Sequence, residues 1–572
     1  MPETEQITTI QDFSLGLNTL TPPNRQDPRF SPTCQNVWYD TQALTKRNGS
    51  ALTASQTGYG STWQGISIFP FTISGASTFN LLIQLRVFLG DGSTVAAANP
   101  LAVFSGVDVG PIKIDGTSGT IATTAGSAVI TGTSTAFTTD FEVGDIFYTT
   151  TEYLKVSSVD SNTQMTATTT AAFTNSGIAT YKAYPAWGSD FVISVVSMNS
   201  KIWVCGKGST AISYDGTTTA RVAAFPRASF SLINKNYVFA ANTAANPSRV
   251  SWSALTDPTT WPATNFVDVS PADGWPIVGM FYDGQSIIIL KTTSAYKLTG
   301  DVFDPANATY TLTQLYTPSD FRCGTARSVQ LFNGSYVILG TLGMYRYSGG
   351  GDIQYAKESD AIRADWAAIS GTAFANNAVN TQEPKSVIYN GNYMLAVQST
   401  LFTSNSNQKN AIYIWDRNGS FWRHVPTLAG RVSDLTLYNN TLTGVNSDMT
   451  VASASRGLMT LDTTSSDIGS AAINGTWTSK VFEFGNQQRF GQVYVYMKKQ
   501  SAGSLVFEYS IDEGSFTSVN KNMTDEPGTR MKSAPILVGR VGRSIQFRLS
   551  NNVAAQPFEI YGIELHHIEL RR

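Results

Sequence analysis

The sequence predicts an all-β protein: a β-propeller of about seven blades, with an inserted small β-domain and a C-terminal β-sandwich. A strand-turn-strand unit recurs through the middle of the chain, whereas helical periodicity is scarce. Charged residues make up only 14% of the 572 residues. Thr, Ser, Asn and Gly, which suit strands and tight turns, are abundant instead, as expected of a β-rich structural protein.

The repeated unit is a short apolar strand, an Asn- or Asp-centred turn, a run of β-forming residues and an aromatic strand. Its six copies begin 35 to 57 residues apart, at Ser197, Leu232, Met280, Gln330, Val387 and Thr436. This spacing is typical of propeller blades. Residues 287–290 and 336–339 are apolar on both faces, as strands between neighbouring blades must be. A β-sandwich or barrel with accidental similarity between its strands is the alternative.

The domain boundaries follow from these copies. Residues 186–468 are predicted to form the main propeller, and residues 61–112, which fit the unit loosely from Ile66, an earlier blade. Six or eight blades remain open, because a terminal strand often closes such a ring. Residues 1–60 are predicted to be an N-terminal arm with the first strands.

Two further β units are predicted. Residues 113–185 are rich in Thr, Gly and Ser, which favours a small β-barrel or sandwich inserted into a propeller loop. A disordered linker is the alternative, although the alternation at residues 153–156 argues against it. In residues 469–572, strict alternation at 505–512 and 544–550 predicts half-buried antiparallel strands, and therefore a β-sandwich from about Ile473.

One segment has a helical pattern. Ser359 is a suitable N-cap, and Ile362, Trp366 and Ile369 recur on one helical face. The pattern predicts a packing helix between blades.

The bulk chemistry excludes several classes of protein. The formal net charge is -2, from 39 basic and 41 acidic residues, so there is no overall surplus of cations for gripping phosphates. No apolar run is long enough to span a bilayer, and the acidic, polar N-terminus does not resemble a secretory signal. Cys34, Cys205 and Cys323 are odd in number and far apart, which favours a reducing compartment over a disulfide scaffold.

No residue is predicted to be catalytic, cofactor-binding or metal-ligating, and the chain is predicted not to be an enzyme. Of the three histidines, His566 and His567 are adjacent and would point to opposite faces of a strand, and His424 is remote from both. The segment around Lys207 lacks phosphate-loop spacing and is interpreted as a blade turn. A paired acid and base, or a Tyr nucleophile with a carboxylate partner, stays open among the acidic residues and 24 tyrosines.

Two surface features have a structural and a functional interpretation. Residues 510–516 resemble the Asp-box turn of sialidases but occur once, which favours an ordinary hairpin turn. A loose basic group could contact nucleic acid or an acidic partner, although solvated strand faces are the favoured interpretation. The group consists of Arg540, Arg543, Arg548, Arg571 and Arg572.

Residues 12–40 and 42–50 resemble the opening of phage tail nozzle (tubular B-type) and tail-hub proteins. The matching motifs are Gly-Leu-Asn-Thr at 16–19, Asn-Val at 36–37 and Lys-Arg-Asn-Gly at 46–49. Residues 249–301, 321–347 and 557–572 are similar to later parts of those proteins. Residues 116–145 resemble small β modules of phage tail proteins.

The resemblance implies a structural component of a short bacteriophage tail. Such a protein forms a homohexameric ring, the nozzle at the distal end of the tail tube, through which double-stranded DNA is ejected without sequence-specific contacts. Its expected partners are an adaptor or tail-tube protein, tail fibres or spikes, and the host surface. The expected location is the virion tail, and the host cytoplasm during assembly.

Two other functions remain open at this point. One is a host-surface carbohydrate-binding or glycan-cleaving propeller, and the other is a generic interaction scaffold. No cofactor is expected for any of the three functions.

Overall fold

The computed structural model describes most of the chain. The described residues are 4–40, 42–55, 63–72, 80–87, 101–104, 108–116, 118–149, 152–179, 181–187, 192–300, 303, 309–369, 383–402, 409–446, 457–500, 502–524 and 530–570. Antiparallel sheets dominate them. No helix among them is long and apolar enough to cross a membrane.

The first 55 residues contribute seven short strands to three different sheets. They are β1 (Glu5–Ile10), β2 (Gly16–Leu17), β3 (Phe30–Ser31), β4 (Thr33–Gln35), β5 (Val37–Asp40), β6 (Ala43–Lys46) and β7 (Ser50–Ser55). The segment predicted as an N-terminal arm is thus joined to later parts of the chain by strand pairing.

The next four strands form one antiparallel sheet where the sequence predicts an early blade. They are β8 (Trp63–Phe71), β9 (Asn80–Val87), β10 (Leu101–Phe104) and β11 (Asp108–Pro111).

The insert at 113–185 is a separate eight-stranded sheet with one short helix. Its strands are β12 (Ile114–Asp115), β13 (Thr120–Thr123), β14 (Val129–Thr133), β15 (Ile146–Tyr148), β16 (Tyr153–Ser161), β17 (Gln164–Ala167), β18 (Asn175–Ala179) and β19 (Lys182–Tyr184), and α1 is Phe137–Asp140. Its own core includes Phe137, Phe147 and Leu154. Asp145 of the insert pairs with Arg221 on the propeller.

Six four-stranded blades follow in chain order. Their strands are β20 (Ile193–Met198), β21 (Lys201–Gly206), β22 (Ser209–Tyr214) and β23 (Thr219–Val222) in the first; β24 (Ala228–Asn234), β25 (Tyr237–Thr243), β26 (Arg249–Trp252) and β27 (Phe266–Asp268) in the second; β28 (Ile277–Tyr282), β29 (Ile287–Lys291), β30 (Ala295–Thr299) and β31 (Thr311–Leu315) in the third; β32 (Gln330–Phe332), β33 (Ser335–Gly340), β34 (Gly343–Tyr347) and β35 (Ile353–Tyr355) in the fourth; β36 (Lys385–Tyr389), β37 (Asn392–Val397), β38 (Ala411–Trp415) and β39 (Phe421–His424) in the fifth; and β40 (Asp434–Tyr438), β41 (Thr441–Asn446) and β42 (Gly457–Leu461) with β7 in the sixth.

The propeller prediction is confirmed. The series from β20 to β42 holds six blades; the predicted total of about seven also counted the early unit from Ile66, whose residues form the sheet β8–β11. The sheet β8–β11 lies between the two ends of this series. Its strand β8 packs on β40 and β41, while Leu82 and Leu101 share a buried cluster with Ile193 and Ile202 of the first blade.

Local sequence explains the blades. Residues 287–290 of β29 are completely buried, as an apolar strand between two sheets requires. Asn333 and Gly334 have φ angles of 49° and 77°, the left-handed pair of a tight hairpin turn. Asn390 and Gly391 repeat the turn, with φ angles of 50° and 74°.

The predicted helix begins as a 3₁₀ turn, Lys357–Ile362, and continues as α2 (Arg363–Ala368). Trp366 is buried, and its ring centroid lies 5.5 Å from that of Tyr413 and 6.0 Å from that of Phe421. The helix therefore packs against the fifth blade.

The C-terminal strands form an eleven-stranded sheet together with β1, β4, β5 and β6 of the arm, named here the terminal sheet. The C-terminal members are β43 (Gly475–Thr478), β44 (Phe482–Lys498), β45 (Ser504–Ile511), β46 (Thr517–Asn522), β47 (Arg530–Lys532), β48 (Ile536–Asn551) and β49 (Glu559–Glu569). Leu505, Phe507 and Tyr509 are buried on alternate positions of β45, as the sequence alternation predicts.

The arm is fixed by the Lys-Arg pair at 46–47. Arg47 donates to both carboxylate oxygens of Asp467, at 3.0 and 2.8 Å, and its Nε donates to Asn36 at 2.8 Å. The Lys46 ammonium group donates to Asn551 Oδ1 at 2.6 Å and to two backbone carbonyl oxygens that follow β48. Burial, together with the neighbouring Arg47 charge, lowers the pKa of Lys46 to about 8. Arg47 thus attaches the arm to Asp467, which follows the sixth blade, and Lys46 attaches it to the terminal sheet.

Replacing Arg47 with Met is expected to lower the free energy of unfolding by about 3–5 kcal/mol, because Asp467 would stay buried without its cation. The Arg47 and Asp467 side chains are only 7% and 1% exposed. Denaturant unfolding followed by circular dichroism measures the change.

The matched control is Arg249→Met. Arg249 also makes a bidentate pair, with Asp268, but these side chains are 27% and 38% exposed. Its loss is expected to cost about 1 kcal/mol or less. Equal losses in the two variants would contradict the special role of the buried pair.

Candidate functional site

A cluster of five charged side chains lies at the propeller axis. We name it the axis cluster, and it consists of Arg327, Glu383, Lys385, Lys409 and Asp434. Lys385 and Asp434 begin the innermost strands of the fifth and sixth blades, and Glu383 lies two residues before Lys385. Arg327 lies in the 3₁₀ turn Ala326–Ser328, immediately before the fourth blade.

Arg327 contacts groups from β8 and from the first, fifth and sixth blades. Its Nη1 donates to Ser67 Oγ of β8 at 3.1 Å, and its Nη2 donates to the carbonyl oxygen of Ile193 in β20 at 3.4 Å. Its Nε lies 3.4 Å from a Glu383 oxygen, and its Nη1 lies 3.7 Å from Asp434 Oδ2. Because these groups approach from sheets around the ring, the guanidinium must lie near its axis.

The turn that carries Arg327 is held by specific local features. Thr325 caps it, since its hydroxyl accepts the Arg327 backbone N–H at 3.0 Å. Gly279 of the third blade allows the turn to approach, because a Cβ atom at that position would lie 1.9 Å from Ala326 Cβ. The side chain is therefore presented by backbone packing rather than by a flexible loop.

Of the two lysines of the axis cluster, Lys409 is buried and Lys385 is half-buried. The Lys409 ammonium group donates to the Ser433 carbonyl oxygen, and burial lowers its pKa to about 8 although the Asp434 charge opposes that shift. Burial also lowers the pKa of Lys385. Arg327 and Lys385 both lie over the Phe69 ring, at 5.2 and 5.9 Å from its centroid.

The two carboxylates are buried and engaged. Asp434 accepts the Ile68 backbone N–H at 3.0 Å and that of Leu435 at 2.8 Å. Glu383 accepts from the Thr325 hydroxyl. A pair of carboxylates is what glycoside hydrolysis requires. In the arrangement described here, both carboxylates also hold the inner ends of the blades together.

The axis cluster was not singled out in the sequence. Its members are spread over more than one hundred residues, and no spacing links them. The one available signal was the segment 321–347, which contains Arg327 and contributes to the family resemblance.

The three histidines lie apart from the axis cluster. His566 and His567 point to opposite faces of β49, as the sequence predicts: His566 contacts Glu5 and Glu564, whereas His567 contacts Thr8 and Gln488. His424 is buried, and burial holds its pKa well below 6.5. In the described part of the chain, no group of three or more His, Cys, Asp or Glu side chains is arranged to hold a metal ion.

The other two candidates from the sequence, Lys207 and the Asp-box-like turn, lie in hairpin turns. Lys207 lies at the turn between β21 and β22. In the Asp-box-like turn, Asp512 accepts the backbone N–H groups of Arg543 and Ser544 at 2.7 and 2.8 Å, so it joins the turn to β48.

The predicted basic group is dispersed. Arg548 makes a bidentate pair with Glu508 at 2.5 and 2.8 Å. Arg540 and Arg543 are exposed on β48. The last two members of the group, at positions 571 and 572, lie outside the described residues.

Two clefts lie beside the arm and meet at Tyr39 of β5. The smaller encloses about 340 Å³, and the larger about 580 Å³. We name the two clefts together the arm trough. The smaller cleft is lined by Trp38, Tyr39, Asp40, Asn390, Asn392, Asp416, Arg417, Asn418 and Trp422. The larger is lined by Gln11, Asp12, Tyr39, Gln42, Tyr496, Lys532, Tyr561 and Gly562.

Comparison with known proteins gives structural neighbours only. No protein-family model matches the sequence, and no curated protein matches it. The fold is similar to an exo-β-1,3-galactanase from Phanerochaete chrysosporium, with 10% identity over 66% of this chain and 96% of that chain, and a TM-score of 0.24.

Two further neighbours have the same level of identity. A glycoside hydrolase family 43 arabinoxylan arabinofuranohydrolase from Bacillus subtilis is 10% identical over 90% of this chain and 98% of that chain, with a TM-score of 0.24. The Pan2 WD40 domain from Neurospora crassa is 10% identical over 74% and 96%, with a TM-score of 0.26. Likeness at this level concerns the fold alone.

These neighbours correct one sequence-based prediction. The chain was predicted not to be an enzyme, but glycoside hydrolases are among the solved structures with a similar propeller. Absence of catalytic motifs in a sequence does not exclude catalysis in a propeller, because blades far apart in the chain supply its charged groups. The prediction is therefore withdrawn.

The Lys409→Met variant is expected to change the pH dependence of stability. The folded pKa of Lys409 is about 8 and its ordinary value is 10.5, so between these pH values the unfolded chain binds more protons. The contribution of Lys409 to stability should therefore rise from about pH 8 to about pH 10.5 and stay constant below pH 8.

Thermal unfolding of wild type and variant at pH 7.5 and pH 10 measures this. The difference in Tm should move in favour of the wild type at the higher pH. The exposed Lys357, replaced by Met, serves as control and should follow the wild-type profile. If the Tm difference between the wild type and Lys409→Met were the same at both pH values, the lowered pKa of Lys409 would be contradicted.

Proposed function

We propose that this protein is a structural component of a short bacteriophage tail, a nozzle ring through which double-stranded DNA leaves the virion. The observation that carries the proposal is the position of the residues that resemble tail nozzle proteins. The three motifs at 16–19, 36–37 and 46–49 lie on one arm, and all three contact the body of the protein.

Each motif has a structural task. Gly16 pairs with Phe421 in the fifth blade, where a Cβ atom would lie 2.3 Å from the Phe421 carbonyl oxygen. Asn36 accepts the Val425 backbone N–H at 2.7 Å and donates to the Asn474 carbonyl oxygen at 2.9 Å. Arg47 pairs with Asp467. A shared structural task supports the view that the motifs belong together rather than resemble the family by chance.

The axis cluster constrains the route of the DNA. Arg327 and its partners occupy the propeller axis, and their side chains are buried or nearly so. A duplex would therefore pass between copies of the chain, through a lumen that the ring encloses. The net charge of -2 is compatible with passage, because DNA carries one negative charge per ~1.7 Å of axis and a strongly basic wall would retain it.

One face of the terminal sheet is a candidate contact between copies in the ring. Leu537 of β48 and Ile7 of β1 share a cross-strand row, because Leu537 pairs with Gln492, Gln492 with His566, and His566 with Ile7. Side chains in one such row point to the same face of a sheet. Val541 lies in the adjacent row, and the three residues are 71%, 56% and 47% exposed respectively.

The purified chain is expected to form rings of six 61.7 kDa copies, which mass photometry and imaging would detect. The double variant Leu537→Glu/Val541→Glu should reduce the ring to smaller species, because charges would replace exposed apolar groups at the contact.

The control for this experiment is Val143→Glu. Val143 is 61% exposed but lies on the insert, so the variant should leave the ring intact. A wild-type chain that stays monomeric at micromolar concentration would count against the ring. If only the Val143→Glu variant dissociated the ring, the contact between copies would lie on the insert instead.

A glycan-cleaving propeller is the second candidate, and the axis cluster favours it. Glu383 and Asp434 approach the same guanidinium from neighbouring blades, so an acid and a base could act on one bond if the axis opens to a substrate.

This candidate predicts release of reducing ends from bacterial surface polysaccharides. Glu383→Gln and Asp434→Asn should each reduce kcat by about 10²–10⁴-fold. The control is Glu508→Gln, which also removes a carboxylate paired with arginine but lies in the terminal sheet. No release of reducing ends by the wild type, or equal rates in all variants, would leave the axis cluster with a structural task only.

A further inference from the structure

The arm trough contains side chains from two parts of the chain. Trp38, Tyr39 and Asp40 come from β5 of the arm, and Asn390 and Arg417 come from two turns of the fifth blade. Beyond Tyr39, the trough continues over the terminal sheet. The site therefore exists only when the arm is docked.

The turn that carries Arg417 is fixed by hydrogen bonds to the neighbouring Asp416. The Asp416 carboxylate accepts the backbone N–H groups of Asn418 and Ser420 at 2.8 and 2.9 Å, and the indole N–H of Trp422 at 2.9 Å. These bonds use the carboxylate of Asp416 but leave the Arg417 and Asn418 side chains exposed at the cleft. The polar wall is thus presented on a fixed backbone.

The aromatic wall is partly accessible. Trp38 and Tyr39 are half-buried, so part of each ring lies at the surface of the smaller cleft. Tyr496 and Tyr561 lie in the larger cleft, each also half-buried. Trp38 and Tyr39 are neighbours on β5, so their rings lie on opposite faces of that strand, and Tyr39 lines both clefts. The four aromatic side chains provide flat apolar surfaces next to polar groups.

This combination matches the chemistry of sugars. A pyranose ring has apolar C–H faces that pack on aromatic rings, and its hydroxyl groups both donate and accept hydrogen bonds. Amide side chains such as Asn390 and Asn418 also both donate and accept, whereas Asp40 accepts and Arg417 donates. The two cleft volumes are within the range of ligand sites.

The charge of the trough argues against phosphate, sulfate or nucleic acid as its ligand. Three carboxylates line it, those of Asp12, Asp40 and Asp416, against two cations. One of these cations, Lys532, is already paired with Glu564 at 2.9 Å. An anion would therefore meet a surface with no excess of positive charge.

We propose that the arm trough binds a neutral or amino-sugar oligosaccharide, with Tyr39 at the centre of the bound chain. Asn390 and Arg417 would hydrogen-bond the sugar in the smaller cleft, while Tyr496 and Tyr561 would pack on it in the larger. Asn390 of the site and Lys385 of the axis cluster lie at opposite ends of β36, and the site requires neither ring formation nor cleavage. A negative result for sugar binding would therefore leave the proposed tail function untouched, and a positive result would not prove it.

The experiment uses the full chain and an array of bacterial oligosaccharides that includes neutral, amino-sugar, phosphorylated and sulfated members. The wild type should bind neutral or amino-sugar members with a Kd below about 1 mM, confirmed by calorimetry. Asn390→Gly and Arg417→Ala should each weaken binding at least tenfold. The glycine variant keeps the φ of 50° at that turn and removes only the side chain.

Matched controls separate lost contacts from altered folding. Asn439→Gly changes the equivalent turn of the sixth blade, where φ is 49°, and Arg540→Ala removes an exposed arginine from β48. Both should bind like the wild type. Tyr39→Phe should bind and Tyr39→Ala should not, with Tm recorded for both, because packing on the ring is the expected contact.

Three results would overturn the proposal. They are no binding by the wild type at 1 mM, binding only to phosphorylated or sulfated members, and equal affinities in the trough variants and their controls.

Discussion

The buried pair between Arg47 and Asp467 is the interaction on which the joining of the arm to the propeller depends. Burial alone would raise the pKa of Asp467, but the Arg47 charge and hydrogen bonds outweigh it and lower that pKa. Burying two charges costs free energy, and such a pair is favourable only when its geometry is bidentate and its remaining groups are satisfied. Here Asn36, Asn48 and Thr427 supply the remaining bonds. The pair therefore specifies where the arm docks more than it adds stability.

The arm also closes the propeller. A ring of blades needs a connection between its first and last sheets, and β7 provides one by pairing along β42 as the outer strand of the sixth blade. Gly49, directly before β7, lies against the backbone of Ser466, where a Cβ atom would be 2.0 Å from the carbonyl oxygen. The Lys-Arg-Asn-Gly motif thus combines a tie to the terminal sheet, a tie to Asp467 and a close approach that only glycine allows. This explains physically why four adjacent residues of these types occur together.

The sequence predicted what depends on local pattern. Tight turns at Asn333 and Asn390, the buried strand at 287–290 and the alternation in β45 each follow from residue type and spacing within one element. The axis cluster could not be predicted in this way, because the four groups that Arg327 contacts, Ser67, Ile193, Glu383 and Asp434, are distant from one another in sequence. Nor could the sharing of the terminal sheet, since pairing between β1 and β49 joins residues more than 550 positions apart.

The arm trough and the arm's attachment are linked by the same physical argument. Trp38 and Tyr39 follow Asn36, whose backbone N–H donates to the Arg423 carbonyl oxygen at 2.8 Å and thereby sets β5 beside the fifth blade. A ligand that contacts both Tyr39 and Arg417 would bind only the docked arm, and any ligand that binds one state alone shifts the equilibrium toward it. Occupation of the trough would therefore strengthen the attachment of the arm. Conversely, loss of the Arg47 pair would weaken the trough's affinity for its ligand without altering a residue that lines it.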